Sequence, residues 1–214
     1  MDSLFSVDPL LYLLIPAAFI IGSIPFGLLF TRSTGIDIRE HGSKNIGATN
    51  VLRTAGKKPA ILTLLGDILK GTSAVVLCKI VLMKTGNNDA ASYDFWLGLI
   101  SLTAVLGHMF SIFLSFKGGK GVATGFGVLA VYSPAIALIM FGIWLLAAFT
   151  LRYSSLSALI AFSAMPLMFY LSGYSDMKIS FGLLIALFIF YKHKSNIKSL
   201  IDGTESKIGG KRES

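Results

Sequence analysis

The chain has 214 residues, 54% hydrophobic and 14% charged, with a mean hydropathy of +0.73. Soluble domains carry about 25% charged residues, so a soluble globule does not fit this balance. The net charge of +8 does not point to nucleic acid either, because the basic residues stand at the ends of apolar segments, where they meet anionic headgroups or fix topology. The single cysteine, Cys78, sits in an apolar run and is read as a core residue.

Taken in chain order, apolar segments are predicted to cross a bilayer as helices at 9–31, 59–83, 93–115, 121–133, 134–151, 156–172 and 178–191, since about 20 apolar residues span the hydrocarbon. Residues 1–20 carry neither a basic leader nor a small-residue cleavage signal, so the first span is expected to be uncleaved. The fourth segment has the length of a re-entrant or buried piece, although Gly121, Gly125 and Gly127 would let it pack closely among neighbours. Counting it gives an all-α, polytopic integral membrane bundle of seven transmembrane helices. Segments 32–58, 116–120, 152–155 and 192–214 then share one side and hold 15 of the 19 lysines and arginines, which places the amino terminus outside and the carboxyl terminus in the cytoplasm. No long linker or internal repeat marks a second domain, so residues 1–214 are read as one domain with a short cytoplasmic tail from about 192.

Four polar stretches fall on that cytoplasmic side. The first joins Gly42, Ser43, Lys44, Asn45, Ile46, Gly47, Ala48, Thr49 and Asn50 to Arg53. Its small residues allow a backbone amide nest for an anion, with side-chain hydrogen bonds from Ser43, Asn45, Thr49 and Asn50; a polar interhelical turn is the alternative. The second follows Gly107 and His108 and reads Phe116, Lys117, Gly118, Gly119, Lys120, Gly121, Val122, Ala123, Thr124. A lysine between glycines at a helix amino terminus combines a point charge, free amides and the helix dipole. It is not a Walker A loop, because Leu114 stands where that motif needs glycine and neither Ser nor Thr follows Lys120. His108, on an apolar helix, is read as a buried hydrogen-bonded histidine rather than a catalyst.

The third stretch carries His193 and Asn196, three residues apart and so predicted on one helical face, among Lys192, Lys194 and Lys198. The fourth, Arg152 to Leu156, opens a span; Ser155 there is read first as a helix cap and otherwise as a ligand for an oxygen. Within the second span, Asp67 and Lys70 stand at i and i+3 and are expected to pair, since an unpaired charge is costly in lipid. The histidines at 41, 108 and 193 have no carboxylate or cysteine at ligand spacing, so no metal and no cofactor is expected.

In that order and combination, GSKNIGATN with Arg53, GH followed by FKGGKGVAT, RYSSL, and KHKSNI with Gly203 and Glu205 resemble the PlsY family of bacterial acyl-phosphate:glycerol-3-phosphate acyltransferases, over most of the chain. Departures are Lys44 where glycine is frequent, Ser111 for a usual proline, and Lys192 and Lys194 for arginines. The resemblance implies acyl transfer from acyl phosphate to the 1-hydroxyl of glycerol 3-phosphate, giving lysophosphatidic acid and inorganic phosphate, in a bacterial inner membrane with the site facing the cytoplasm. It implies as partners the two substrates, membrane lipids and an acyl-phosphate-forming enzyme. The fourth span is needed for this reading, because without it the first two motifs would face the other two across the membrane.

The absence of a His-x4-Asp motif speaks against the acyl-CoA acyltransferases: the fifth positions after the histidines are Ile46, Phe113 and Lys198. With a mixed anhydride as donor, the protein mainly has to align the partners and stabilise negative charge. On this reading Ser43, Lys120 and His193 are catalytic. Gly42, Asn45, Gly47, Thr49, Asn50, Arg53, Gly118, Gly119, Gly121, Ser155 and Asn196 bind substrate. Ser43, the amides from Gly42 to Gly47 and Lys120 would hold the donor, while Arg53, Ser155, His193 and Asn196 would hold the acceptor. His193 or a donor phosphate oxygen would act as base. A small transporter of phosphate-bearing solutes is the alternative, weakened because Asp67, Lys70 and His108 are nearly the only polar groups near the membrane midplane.

Overall fold

Hydropathy and length single out five stretches able to cross a membrane in the computed structural model, Pro9–Thr34, Lys57–Thr85, Ala90–Leu114, Pro134–Leu151 and Ser154–Leu171. The structure describes residues 8–86 and 89–209, and every regular element among them is helical. Residues 1–7, the start of the stretch read as uncleaved, lie outside the described residues, as do 87, 88 and 210–214. The chain divides into two compact units, Met1–Ser133 and Pro134–Ser214.

In the first unit, helix α1 (Pro9–Ser23) starts where the Asp8 carboxylate accepts from the Leu10 amide at 2.9 Å and proline occupies the first turn. The expected 9–31 helix is in fact two. Pro25 has no N–H to continue the ladder, so α1 stops and α2 (Phe26–Thr31) starts afresh. Backbone oxygens at this break find partners elsewhere: Lys70 donates to the Ile24 carbonyl at 2.8 Å, and the Ser111 hydroxyl to the Ser23 carbonyl at 2.5 Å. Ser111, where the resemblance implies proline, thus uses its hydroxyl to close the end of α1.

A short helix, α3 (Ala48–Thr54), precedes α4 (Lys57–Thr85), whose 29 residues give about 44 Å, longer than a hydrocarbon core of about 30 Å. Helix α5 (Ala90–Met109) is capped by Asp89, and α6 (Val122–Tyr132) follows. At 11 residues, α6 reaches only about 16 Å. It lies against α4 at backbone distance, as its glycines foreshadow: a Cβ on Gly127 would collide with the Ile68 carbonyl, and one on Gly71 would press into the Thr124 carbonyl. Val75, Cys78, Leu82, Ile100, Val105, Val128 and Leu129 fill the interior of the unit.

The expected Asp67–Lys70 pair forms at 2.8 Å, fully enclosed, with His108 Nδ1 3.4 Å from the same carboxylate oxygen.

In the second unit, α7 (Pro134–Leu151), α8 (Ser154–Leu171), α9 (Asp176–Lys192) and α10 (Lys194–Ile201) follow one another. Ser175 caps α9 and Asp176 lies in its first turn, with Lys192 in the last, each charge at the dipole end that favours it. The core is aromatic: Phe162, Met165 and Phe169 of α8 are buried with Phe181, Ile185 and Ile189 of α9, and Gly182 leaves room for the Phe169 ring.

Gly127→Ala is expected to cost about 1–3 kcal/mol, since a methyl forced against rigid helix backbone overpacks the contact. Thermal unfolding of the purified protein in detergent checks this, and an unchanged midpoint would mean that α4 and α6 are not held at backbone distance.

Candidate active site

The loop between α2 and α3 owes its shape to one buried side chain. Asn50, 2% exposed, donates through its amide nitrogen to the carbonyls of Ile38 at 2.9 Å, His41 at 3.2 Å and Asn45 at 2.8 Å, and its oxygen accepts from the Ser43 amide at 2.8 Å. Gly42 is required beside it, because a Cβ there would occupy the place of the Asn50 oxygen. Ile38, Ile46, Val51 and Ala60 form the apolar floor below. Asn45 accepts from the Gly47 amide at 2.9 Å, and Gly47 is the residue before α3. The result presents Ser43, Thr49 and Arg53 at the surface of the loop. Asn50, read from sequence as a ligand, spends its amide on the loop itself. Lys44 takes φ of 58°, the left-handed conformation that glycine adopts without strain, which accounts for the glycine the resemblance implies there.

Outside the membrane segments this loop also holds a bidentate Arg39–Asp37 pair, 2.6 Å at its closest, and the guanidinium holds the exposed Asp37 carboxyl down to about 2. His41 Nδ1 lies 2.9 Å from the Asp37 carbonyl. These contacts fix the approach to Gly42 and Ser43.

The second loop folds back on the end of α5. The amides of Gly118 and Gly119 donate to the carbonyls of Met109 and His108 at 3.1 and 3.0 Å, and Ser115 and Phe116 turn the chain with φ of 49° and 62°. Lys120 follows, half-buried, and Gly121 with φ of 83° leads into α6. The lysine therefore stands at a helix amino terminus, as the sequence pattern predicts, while Lys117 is exposed.

In the second unit, Arg152, at φ of 63°, makes the turn into α8, and Tyr153 is the residue before the helix. Ser155 is therefore not its cap: the hydroxyl donates instead to the Glu205 carboxylate at 2.5 Å. The same oxygen accepts from Asn196 Nδ2 at 2.8 Å. His193 and Asn196 do not share one continuous helix, because the chain breaks at His193 between α9 and α10. His193 is buried, with Nδ1 2.8 Å from the Ile189 carbonyl. A carbonyl only accepts, so Nδ1 carries the proton and the neutral ring has its lone pair on Nε2.

Glu205 is the organiser that sequence reasoning left without a role. Its segment runs back along the start of α8: the Ile208 amide donates to the Arg152 carbonyl at 2.6 Å, and Arg152 donates to the Ile208 carbonyl at 3.3 Å. A carboxylate just past the Gly203 turn, with amide and hydroxyl residues upstream, is the signal that was available. No group of three or more His, Cys, Asp or Glu suited to a metal occurs among the described residues.

Residues 12–203 match the family described as Glycerol-3-phosphate acyltransferase. The chain belongs to that family. A glycerol-3-phosphate acyltransferase of Sinorhizobium fredii is 47% identical over 204 residues, 95% of each chain. The crystal structure of PlsY, an integral membrane glycerol 3-phosphate acyltransferase, in its glycerol 3-phosphate form is similar with a TM-score of 0.84 and 37% identity, over 93% of this chain and 96% of that one. Its lysophosphatidic acid form gives 0.81 and 36%, over 92% and 94%. This acyltransferase is thus a membrane enzyme of the PlsY type.

Asn50→Ala is expected to destabilise the acyltransferase by about 1–3 kcal/mol, since the buried Ile38 carbonyl and the half-buried contacts to the His41 and Asn45 carbonyls lose their donor. Lys44→Gly is expected to raise stability by about 1 kcal/mol by relieving the left-handed conformation. Chemical denaturation of the two variants against the parent checks both signs.

Proposed function

We propose that this enzyme transfers the acyl group of acyl phosphate to the 1-hydroxyl of glycerol 3-phosphate, releasing lysophosphatidic acid and inorganic phosphate, at the cytoplasmic face of a bacterial inner membrane. The observation that carries this reading is the likeness to PlsY in forms named for glycerol 3-phosphate and for lysophosphatidic acid, which are an acceptor and its acylated product. Residues 1–214 act as one acyltransferase domain, with seven crossings, the amino terminus outside and the carboxyl terminus inside. The basic loops around Arg53, Lys120, Arg152 and Lys194 support that orientation.

In the reaction the acceptor oxygen attacks the acyl carbon, a C–O bond forms, and the bond from that carbon to the phosphate oxygen breaks with the electrons leaving on phosphate. Ser43, Asn45 and Thr49 hold the donor phosphate through their side chains, because the amides of Ser43, Lys44 and Gly47 are already donated to Asn50 Oδ1, the His41 carbonyl and Asn45 Oδ1. Gly118, Gly119 and Gly121 bring backbone close to the same group, and Lys120 balances the charge that develops on the acyl oxygen and leaving group. Arg53, Ser155 and Asn196 hold the acceptor, and Glu205 orients the last two through its 2.5 and 2.8 Å bonds. The hydroxyl proton passes to His193 Nε2, whose lone pair follows from the Nδ1 bond to the Ile189 carbonyl. An acyl-phosphate-forming enzyme supplies the donor.

The buried Asp67 is paired with Lys70 at 2.8 Å and lies 3.4 Å from His108, so the groups a transport reading would use are committed within the protein.

With purified enzyme, phosphate release from acyl phosphate is expected only when glycerol 3-phosphate is present, and acyl-CoA is expected to be inert as a parallel donor. Equal use of acyl-CoA would remove the donor assignment. Lys120→Ala is expected to lower kcat by about 10²–10³. His193→Gln is expected to lower turnover at saturating acceptor, whereas near-parental turnover would pass the base role to a donor oxygen. Cysteines at Ser43 and Ser195 are expected to react with an impermeant maleimide from the cytoplasmic side alone; labelling from opposite sides would overturn the seven-span arrangement.

A further inference from the structure

Three ionisable side chains lie outside the residues assigned above and deep in the first unit. Asp67, Lys70 and His108 are 3%, 4% and 3% exposed, at depths where water does not reach. Moving such groups out of water is costly, and apolar replacements of similar volume commonly leave a fold as stable or more so. Fold stability alone is therefore a poor reason for them. What they touch supplies a better one.

Lys70 is anchored to the α1–α2 break by its 2.8 Å bond to the Ile24 carbonyl, and it fixes Asp67 at 2.8 Å. The Asp67 carboxylate faces His108 Nδ1 at 3.4 Å and bounds that edge of the imidazole. The opposite edge of that ring is the surface on which the glycine loop rests: a Cβ on Gly119 would overlap His108 Nε2, and one on Gly118 would overlap the His108 carbonyl. The Gly119 amide also donates to the His108 carbonyl at 3.0 Å. Backbone and ring of one residue thus set the height and tilt of the two peptides that lead into Lys120.

We propose that His108, held by Asp67 and Lys70, is a positioning residue for Lys120 in acyl transfer. The inference rests on the reading that places Lys120 at the reacting phosphate. A turn of the imidazole moves the Gly119–Lys120 peptide, and a misplacement of about 1 Å at a reacting centre can cost about 10² in rate.

A double-mutant cycle tests it, with kcat/KM for acyl transfer measured for the parent, His108→Gln, Lys120→Ala and the double variant, and thermal midpoints recorded for each. If His108 acts through Lys120, His108→Gln lowers kcat/KM by about tenfold in the parent and by less than about twofold once Lys120 is alanine. An equal factor in both backgrounds marks a general structural role and overturns the inference, as does a parental rate in His108→Gln. Asp67→Asn, which keeps shape and removes the charge facing the ring, is run through the same cycle. Should His108→Gln fail to fold, the Asp67 cycle decides by the same criterion. Parental activity of Lys120→Ala itself strikes the assignment of Lys120 and takes this inference with it. A large but measurable loss in Lys120→Ala with additive His108 effects strikes the inference alone.

Discussion

The Lys70 ammonium meets the Asp67 carboxylate and the Ile24 carbonyl, each at 2.8 Å, and the arrangement of the first unit follows from those contacts. An ammonium at that depth has no water to turn to, so each N–H must find protein. One partner comes from its own helix, one turn earlier. The other exists because Pro25 interrupts the first apolar segment. Had α1 run on unbroken, the Ile24 carbonyl would have been committed to an intrahelical bond. The break, the ion pair and the docking of α5 through His108 meet at one buried cluster of polar groups.

Both glycine-bearing loops solve the same physical problem differently. The donor-phosphate role proposed for them requires loops that keep their shape when empty. In the first loop a side chain does this, as Asn50 gathers three carbonyls and one amide. In the second the end of α5 does it, through paired backbone bonds to His108 and Met109. Each rigid support lies on the side away from the exposed residues.

Five of the seven expected spans, all but 121–133 and 178–191, are long and apolar enough to cross, and these were legible because lipid enforces a length and a composition that any reader can count. The Asp67–Lys70 pairing was legible because spacing on a helix and the cost of lone charge leave few choices. The interruption at Pro25 was missed by reading an apolar run as continuous, although proline carries the information. Asn50 and Glu205 were harder. Their partners lie on irregular chain or at helix starts, where no periodicity tells which carbonyl or hydroxyl faces inward, so Asn50 was read as a ligand where the geometry assigns support, and Glu205 was given no role. The helical spacing of His193 and Asn196 misled for a related reason: it presumes a helix that in fact breaks at His193.

Glu205 follows the last of the helices among the described residues, yet it joins Ser155 at the start of α8 to Asn196 at the start of α10. During synthesis every apolar segment has already left the ribosome before this carboxylate emerges. A chain interrupted just after α10 would thus carry every helix while Ser155 and Asn196 still lacked their common acceptor. On the proposed reading, the described helices are made before the residue that orients Ser155 and Asn196, so assembly of that side follows translation of the segment after α10.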